Sequence, residues 1–136
     1  MGAMLRIAIV VLALAAAGFL VVVERSARAA AEIQRTALSA SGTPTPRDIA
    51  AARDGLPAAT RWTPDTDPII NLGVIYARAG QARPAGAQFA AVTRKEPENA
   101  QAWSLLAFAA NRYDPDLAAT ARARARALEP PVPRAR

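Results

Sequence analysis

Residues 68–97 read PIINLGVIYARAGQARPAGAQFAAVTRKEP. This stretch contains two helix signals with a turn signal between them. Asp67-Pro68 places a capping residue before a proline, which is typical of a helix start and predicts a helix over 68–79. Gly80 is typical of a helix C-terminus, and Pro84 indicates a second helix that ends near residue 96. The stretch therefore predicts two helices joined by a tight turn.

The pattern returns further along the chain. A shift of 34 residues pairs Ile69 with Trp103, Leu72 with Leu106, Gly73 with Ala107 and Tyr76 with Ala110. Pro97 falls on Pro131, or on Pro130 if one residue is deleted. A repeat of this length predicts stacked helical hairpins.

The spacing resembles that of the tetratricopeptide repeat (TPR) family, W-x2-L-G-x2-Y, then A-x3-F, then P. The first unit reads Ile69-x2-Leu72-Gly73-x2-Tyr76, then Ala85-x3-Phe89, then Pro97. The second unit reads Trp103-x2-Leu106-Ala107-x2-Ala110, followed by an alanine-rich helix and Pro130. It keeps the tryptophan and leucine but lacks the tyrosine and phenylalanine, so the register of its second helix is not fixed.

This resemblance covers about Asp65 to Glu129 and implies a packing scheme. Gly73 and Ala85 are expected where two antiparallel helices cross closely, with Tyr76 and Phe89 filling the space beside them. Trp103 is expected in the seam between the units.

Outside these units the chain also has helix signals. Thr45-Pro46 predicts a helix over about 47–60, Asn99 caps one to about Arg112, and Asp114-Pro115 starts one that ends near Glu129. The helix at 47–60 can be the second helix of a degenerate leading repeat.

The predicted fold class is all-α, an N-terminal transmembrane helix followed by a short TPR-like hairpin array. The predicted segments are an anchor with its continuing helix (1–40), a linker and leading helix (41–64), the repeat module (65–129) and a disordered tail (130–136).

The N-terminal run Ile7–Val23 carries no charged or polar side chain. As a helix it is about 25 Å long, the lower end of a bilayer span, and basic residues flank it. It predicts a single-pass membrane anchor. A cleaved signal peptide is a second interpretation, because residues 27–29 and 29–31 both fit an A-x-A cleavage site. A buried helix of a soluble protein is the third.

The sequence carries two opposing signals for the side of the membrane on which the domain lies. More arginines follow the run than precede it, which favours a cytoplasmic domain. A very short N-terminal segment with one following domain favours the opposite side. We expect a bacterial inner-membrane protein with its C-terminal domain in the periplasm.

The composition disfavours catalysis. The chain has no cysteine and no histidine, so thiol and imidazole chemistry and most zinc sites are excluded. Its acidic residues Asp65, Asp67, Asp114 and Asp116 stand at predicted helix starts, where they cap helices. We expect no catalytic residue, cofactor or metal.

The net charge of the chain is +6, but its basic residues are scattered and no aromatic side chains stand between them to stack on bases. Nucleic acid is therefore not an expected partner.

The TPR resemblance also implies a concave face, formed by the first helix of each unit, that holds a protein partner. The candidate partner-binding residues are Ile70, Asn71, Val74, Arg78, Ser104, Phe108, Asn111 and Arg112. Phe108 is the expected apolar anchor, and Arg78 and Arg112 are the expected polar contacts. Two alternatives are that the polar residues form a solvated face and that the helix at 47–60 folds back over Phe108.

Two functions fit this organisation. One is a membrane-anchored interaction scaffold or assembly factor that uses the TPR-like groove. The other is a stable accessory subunit of a large membrane protein complex. Two repeats are fewer than such arrays usually need, so a partner or a second copy of the chain can cover an open end.

Overall fold

The computed structural model describes residues 2–39, 42–62 and 64–129, with the side chains of the first helix described from residue 9 onward. The described residues form six helices and no strand: α1 (Gly2–Leu38), α2 (Pro46–Thr60), α3 (Asp67–Arg78), α4 (Ala82–Lys95), α5 (Ala100–Ala110) and α6 (Pro115–Leu128). The predicted all-α fold class is confirmed. The predicted tail at 130–136 lies outside the described residues.

The helices pair into three consecutive hairpins. The second half of α1 packs against α2, α3 packs against α4, and α5 packs against α6. The hairpins stack because α3 also contacts α1 and α2, while α5 contacts α4. We call these three hairpins, from residue 24 to residue 128, the hairpin array. The helix predicted at 47–60 is therefore the second helix of a leading hairpin, and its partner is the continuation of the apolar N-terminal helix.

Local capping explains the starts of α2, α5 and α6. The Thr45 hydroxyl accepts a hydrogen bond from the Asp48 backbone N–H, and the Asp48 carboxylate accepts one from the Thr45 N–H at 2.8 Å. This capping box lowers the pKa of the Asp48 carboxyl, mainly through the backbone hydrogen bond. The Asn99 side chain accepts from Ala102 N at 2.9 Å and starts α5 in the same way.

Two predicted helix starts are shifted. Asp67 is not the N-cap of α3 but its first residue, where a carboxylate complements the helix dipole. α4 begins at Ala82, two residues before Pro84. Pro84 fits there because proline is tolerated in the first turn, whose N–H groups have no partner within the helix.

The core between α3, α4 and α5 contains the residues that the repeat pattern picked out. Phe89 is 1% exposed, and Ala85 is fully buried. A Cβ atom at Gly73 would lie 2.5 Å from Phe89 Cε1, so the glycine lets the ring pack directly on α3. The expected close crossing at Gly73 and Ala85 is confirmed. Trp103 is half-buried, and its Nε1 donates to the Pro97 carbonyl at 2.9 Å.

One close contact was not predicted. A Cβ atom at Gly86 would overlap the Tyr113 hydroxyl, so this glycine lets the turn between α5 and α6 approach α4. The Arg83 guanidinium lies over the Tyr113 ring at 5.8 Å from its centroid. Together these contacts fix the third hairpin on the second.

α1 is long and apolar enough to cross a membrane. Its apolar side chains are exposed, with Leu12 at 72% and Leu20 at 66%, and only 6% of the apolar window is buried. The third interpretation of this run, a helix buried in a soluble core, is therefore wrong. The second half of the same helix is different, because Ile33 and Ala37 are buried against α2 and α3.

Candidate protein-binding groove

Side chains of α3, α4 and α5 line an apolar groove of about 290 Å³. We call it the α3–α5 groove; its lining residues are Val74, Ala77, Arg78, Phe89, Leu105 and Phe108. Three of the predicted binding residues, Val74, Arg78 and Phe108, thus lie in one depression. The walls belong to helices that pack on a buried core, so the groove has a fixed shape.

Phe108 is the most exposed apolar residue of this groove. Its relative exposure is 64%, although it belongs to a helix whose neighbours Ala107 and Ala109 are buried. The alternative in which α2 covers Phe108 is wrong, because this exposure leaves the ring uncovered and α2 packs mainly on α1 and α3. Within the described part of the chain, the ring remains a projecting apolar group on a rigid helix.

A second depression lies on the other side of the Phe108 ring. This α5–α6 cleft has a volume of about 360 Å³, and it is lined by Ser104, Ala107, Phe108, Arg122, Ala125, Arg126 and Glu129. Ser104, another predicted binding residue, faces this cleft and not the α3–α5 groove. Phe108 therefore forms the ridge between an apolar groove and a cleft that carries two arginines.

Arg78 has a structural partner already. Its guanidinium donates hydrogen bonds to the carbonyls of Thr36 at 3.2 Å, Ala37 at 2.8 Å and Gly42 at 2.7 Å. The C-terminal carbonyls of a helix lack partners within the helix, and a cation there complements the helix dipole. Arg78 thus caps α1 from α3, which leaves it less free than expected to bind a partner carboxylate.

Ile70 lies in the core. It is 6% exposed and packs with Ile69, Phe89 and Leu106, so the expectation of an uncovered side chain at this position is wrong. The physical reason is the central position of α3. Ile70 belongs to the cluster to which α4 contributes Phe89 and α5 contributes Leu106, whereas Val74 and Ala77 are only partly buried.

The remaining predicted residues surround the groove without lining it. Asn71 is half-buried on α3, while Asn111 and Arg112 are exposed in the turn that follows α5. None of these three lines the α3–α5 groove or the α5–α6 cleft. The structure therefore brings together Val74, Arg78 and Phe108, with Ser104 behind Phe108, and leaves the other candidates outside.

The structure adds three residues that the sequence interpretation did not select. Leu105 lines the groove three positions before Phe108, and Arg122 and Arg126 line the adjoining cleft from α6. Leu105 was detectable from helical spacing. The α6 arginines were not, because the second unit lacks the aromatic residues that would have fixed its register.

The Glu96 carboxylate is part of a hydrogen-bond network that joins two segments of the array. The Glu96 carboxylate accepts hydrogen bonds from Asn99 Nδ2 and Thr66 Oγ1, both at 2.7 Å, and these bonds lower the pKa of its carboxyl group. They join the start of α3 to the turn between α4 and α5. Across the described residues no cluster of acidic side chains is arranged to hold a metal ion.

Comparisons with known proteins do not extend this description. No family model, curated protein or solved structure matches the chain.

Proposed function

We propose that this protein is a membrane-anchored interaction module whose TPR-like hairpin array binds a segment of another protein in the α3–α5 groove. The observation that carries the proposal is Phe108, an aromatic side chain exposed on the wall of an apolar groove. Aromatic residues at the centre of an apolar patch commonly dominate binding energy. An apolar groove on a rigid helical surface suits an amphipathic helix or an extended segment.

Charge around Phe108 indicates the chemistry of the partner. Arg122 and Arg126 line the adjoining cleft with one acidic residue, Glu129, and the whole chain has a net charge of +6. A segment with an apolar side chain for the groove and carboxylates for the cleft fits both features. Binding in this form needs no catalytic group, which agrees with the absence of cysteine and histidine.

Retention of α1 on the mature protein is part of the proposal. The buried Ser26 hydroxyl donates to the Ala59 carbonyl at 3.3 Å, and Ile33 and Ala37 lie in the core. Cleavage at residues 29–31 would separate Ser26 from the array and shorten the helix that supports α2 and α3. The continuity of α1 therefore supports an anchor over a cleaved signal peptide. Intact mass and resistance of the membrane fraction to carbonate washing test it.

The finer placement is also a proposal. We propose the inner membrane of a bacterium, with the hairpin array in the periplasm. It is supported by the candidate span found among the described residues and by the excess of arginine over lysine, which is typical of a GC-rich genome. Protease accessibility of the array in right-side-out vesicles tests the orientation.

Co-purification in mild detergent tests the binding function. The full chain, the Phe108→Ala variant and the Arg112→Gln variant are used as baits, and Arg112→Gln is the control because it is exposed but outside the groove. We expect Phe108→Ala to lose most of the captured protein and Arg112→Gln to retain it. Equal capture by Phe108→Ala and the wild type would contradict the groove assignment.

The same experiment separates the two functions. Weak capture of several proteins favours a scaffold or assembly factor. Stoichiometric recovery with one membrane complex, unaffected by Phe108→Ala, favours an accessory subunit held through the exposed apolar surface of α1. Capture of a tagged copy by an untagged copy would show a homo-oligomer.

A further inference from the structure

The connection between α2 and α3 returns to the end of the apolar run of α1. α2 is antiparallel to the second half of α1, and the hydrogen bond between Ser26 and Ala59 sets their relative position. Two residues after this helix ends, Trp62 meets the part of α1 that precedes Ser26. Phe19, Val23 and Trp62 line one cleft of about 220 Å³, which we call the Trp62 cleft.

Trp62 is exposed in an unusual place. Its relative exposure is 56%, and its apolar neighbours in the cleft are also open, with Phe19 at 58% and Val23 at 39%. Trp103, which packs in the array, is half-buried, whereas Trp62 is exposed. The exposed indole therefore extends the apolar surface of α1 sideways, at the level where the apolar run ends.

The length of the run locates the membrane boundary. From Ile7 to Val23 the helix measures about 25 Å, whereas the hydrocarbon core of a bilayer is about 30 Å thick. The boundary therefore lies near or just beyond Val23, which is the level of the Trp62 cleft. Tryptophan is enriched at this depth because its ring is largely apolar and its N–H needs a polar partner.

The surrounding charges suit the headgroup layer. Arg25 and Arg61 are exposed, and Glu24 is paired with Arg28 at 2.5 Å. Asp65 also lines the cleft, and its carboxylate accepts a hydrogen bond from the Asp67 backbone N–H at 2.9 Å. These polar groups begin where the apolar surface stops.

We infer that Trp62 is a second membrane contact, with its indole in the interfacial layer of the bilayer that α1 spans. The connection between α2 and α3 then rests on the lipid surface and fixes the tilt of the hairpin array. This inference depends on the proposed anchoring by α1, but it is independent of partner binding in the α3–α5 groove.

The two tryptophans of the chain allow a direct test. The wild type and the Trp62→Phe variant are reconstituted, each as the full chain, into phosphatidylcholine vesicles. A first set of vesicles has lipids brominated near the headgroup end of the acyl chains, and a second set has bromine near the chain ends. The variant reports Trp103 alone, so the difference between the two proteins is the emission of Trp62.

We expect the Trp62 component to lose roughly half of its emission with bromine near the headgroups, and less with bromine near the chain ends. Trp103 should be unaffected, because it lies in the array away from α1. The two proteins should float with the vesicles to the same extent, since Phe keeps the apolar surface and more than half of the Trp62 side chain is exposed.

Three results would overturn the inference. If the vesicles carry the protein but Trp62 is quenched no more than Trp103, α1 is an anchor and Trp62 is not in the interface. If Trp62 is protected from both bromine and aqueous acrylamide, it lies in a contact between copies of the chain. If neither protein floats with the vesicles, the proposed anchoring itself fails and this contact fails with it.

Discussion

Gly73 lies beneath the Phe89 ring so closely that a Cβ atom on the glycine would approach Phe89 Cε1 to 2.5 Å. Gly55, in the middle of α2, has room for a methyl group. A Cβ atom there would lie 3.9 Å from Ile33 Cδ1, which is an ordinary van der Waals contact. These two glycines therefore differ in the room that each leaves for a methyl group.

The Gly73→Ala and Gly55→Ala variants are expected to differ in the free energy of unfolding. Alanine gains about 1 kcal/mol of helix propensity at either position. At Gly73 this gain is offset by displacement of the buried Phe89 ring, a cost of about 1–3 kcal/mol. Thermal unfolding of the full chain in detergent should show Gly55→Ala more stable than the wild type and Gly73→Ala below Gly55→Ala. Equal stabilisation by both would contradict the close crossing.

Arg78→Gln is expected to destabilise the array. The change removes hydrogen bonds and a cation at the C-terminal end of α1, which together contribute about 1–2 kcal/mol. Arg112→Gln, which removes an exposed arginine, should change the free energy of unfolding by less than about 0.5 kcal/mol. Chemical denaturation of both variants measures the difference. Wild-type stability of Arg78→Gln would mean that the cap is dispensable.

Truncation to alanine should lower the free energy of unfolding far more at Phe89 than at Phe108. Phe89→Ala opens a cavity in the core and should cost about 3–5 kcal/mol. Phe108→Ala removes an exposed ring and should cost less than about 1 kcal/mol. The melting temperatures of the two variants check this. A large fall for Phe108→Ala would place that ring in a core that the described residues do not form.

The stability of the array should fall at acidic pH partly through Glu96. Its pKa is lowered in the folded state by hydrogen bonds from Asn99 and Thr66, so its contribution is present above the unfolded pKa of about 4.3. That contribution is lost as the pH falls through the lower, folded value. Melting temperatures of the wild type and Glu96→Gln, measured from neutral pH into this acidic range, should converge as the pH falls. Parallel curves would contradict this role.

Local signals were readable from the sequence alone. Asp114 Oδ1 accepts from Leu117 N at 3.0 Å, and both the Thr45 and Asn99 caps form where their residue types predict them. Such caps depend on three or four neighbouring residues, so no knowledge of the tertiary structure is needed. The spacing of Gly73, Ala85 and Phe89 was equally informative, because a close crossing restricts the residue types on both helices.

Long-range packing was not readable in the same way. Ile70 was expected on the open face because it stands four residues before Val74. Arg78 was expected to contact a partner because it is a cation on that face. The Ile70 assignment depends on how α4 and α5 pack on α3. The Arg78 assignment depends on where the second half of α1 packs. The alanines of that half gave no periodic pattern that distinguishes a hairpin helix from the continuation of a membrane span.

The continuity of α1 limits where the groove can reach. In the proposed arrangement, one uninterrupted helix is both the membrane span and the first helix of the array, so no flexible linker separates the proposed binding surface from the bilayer. From Val23 to Leu38 the helix rises about 22 Å. The proposal therefore places the partner segment at a height of this order above the lipid. A partner in the same membrane would have a high effective concentration at the groove, whereas a freely diffusing partner would first have to reach the membrane surface.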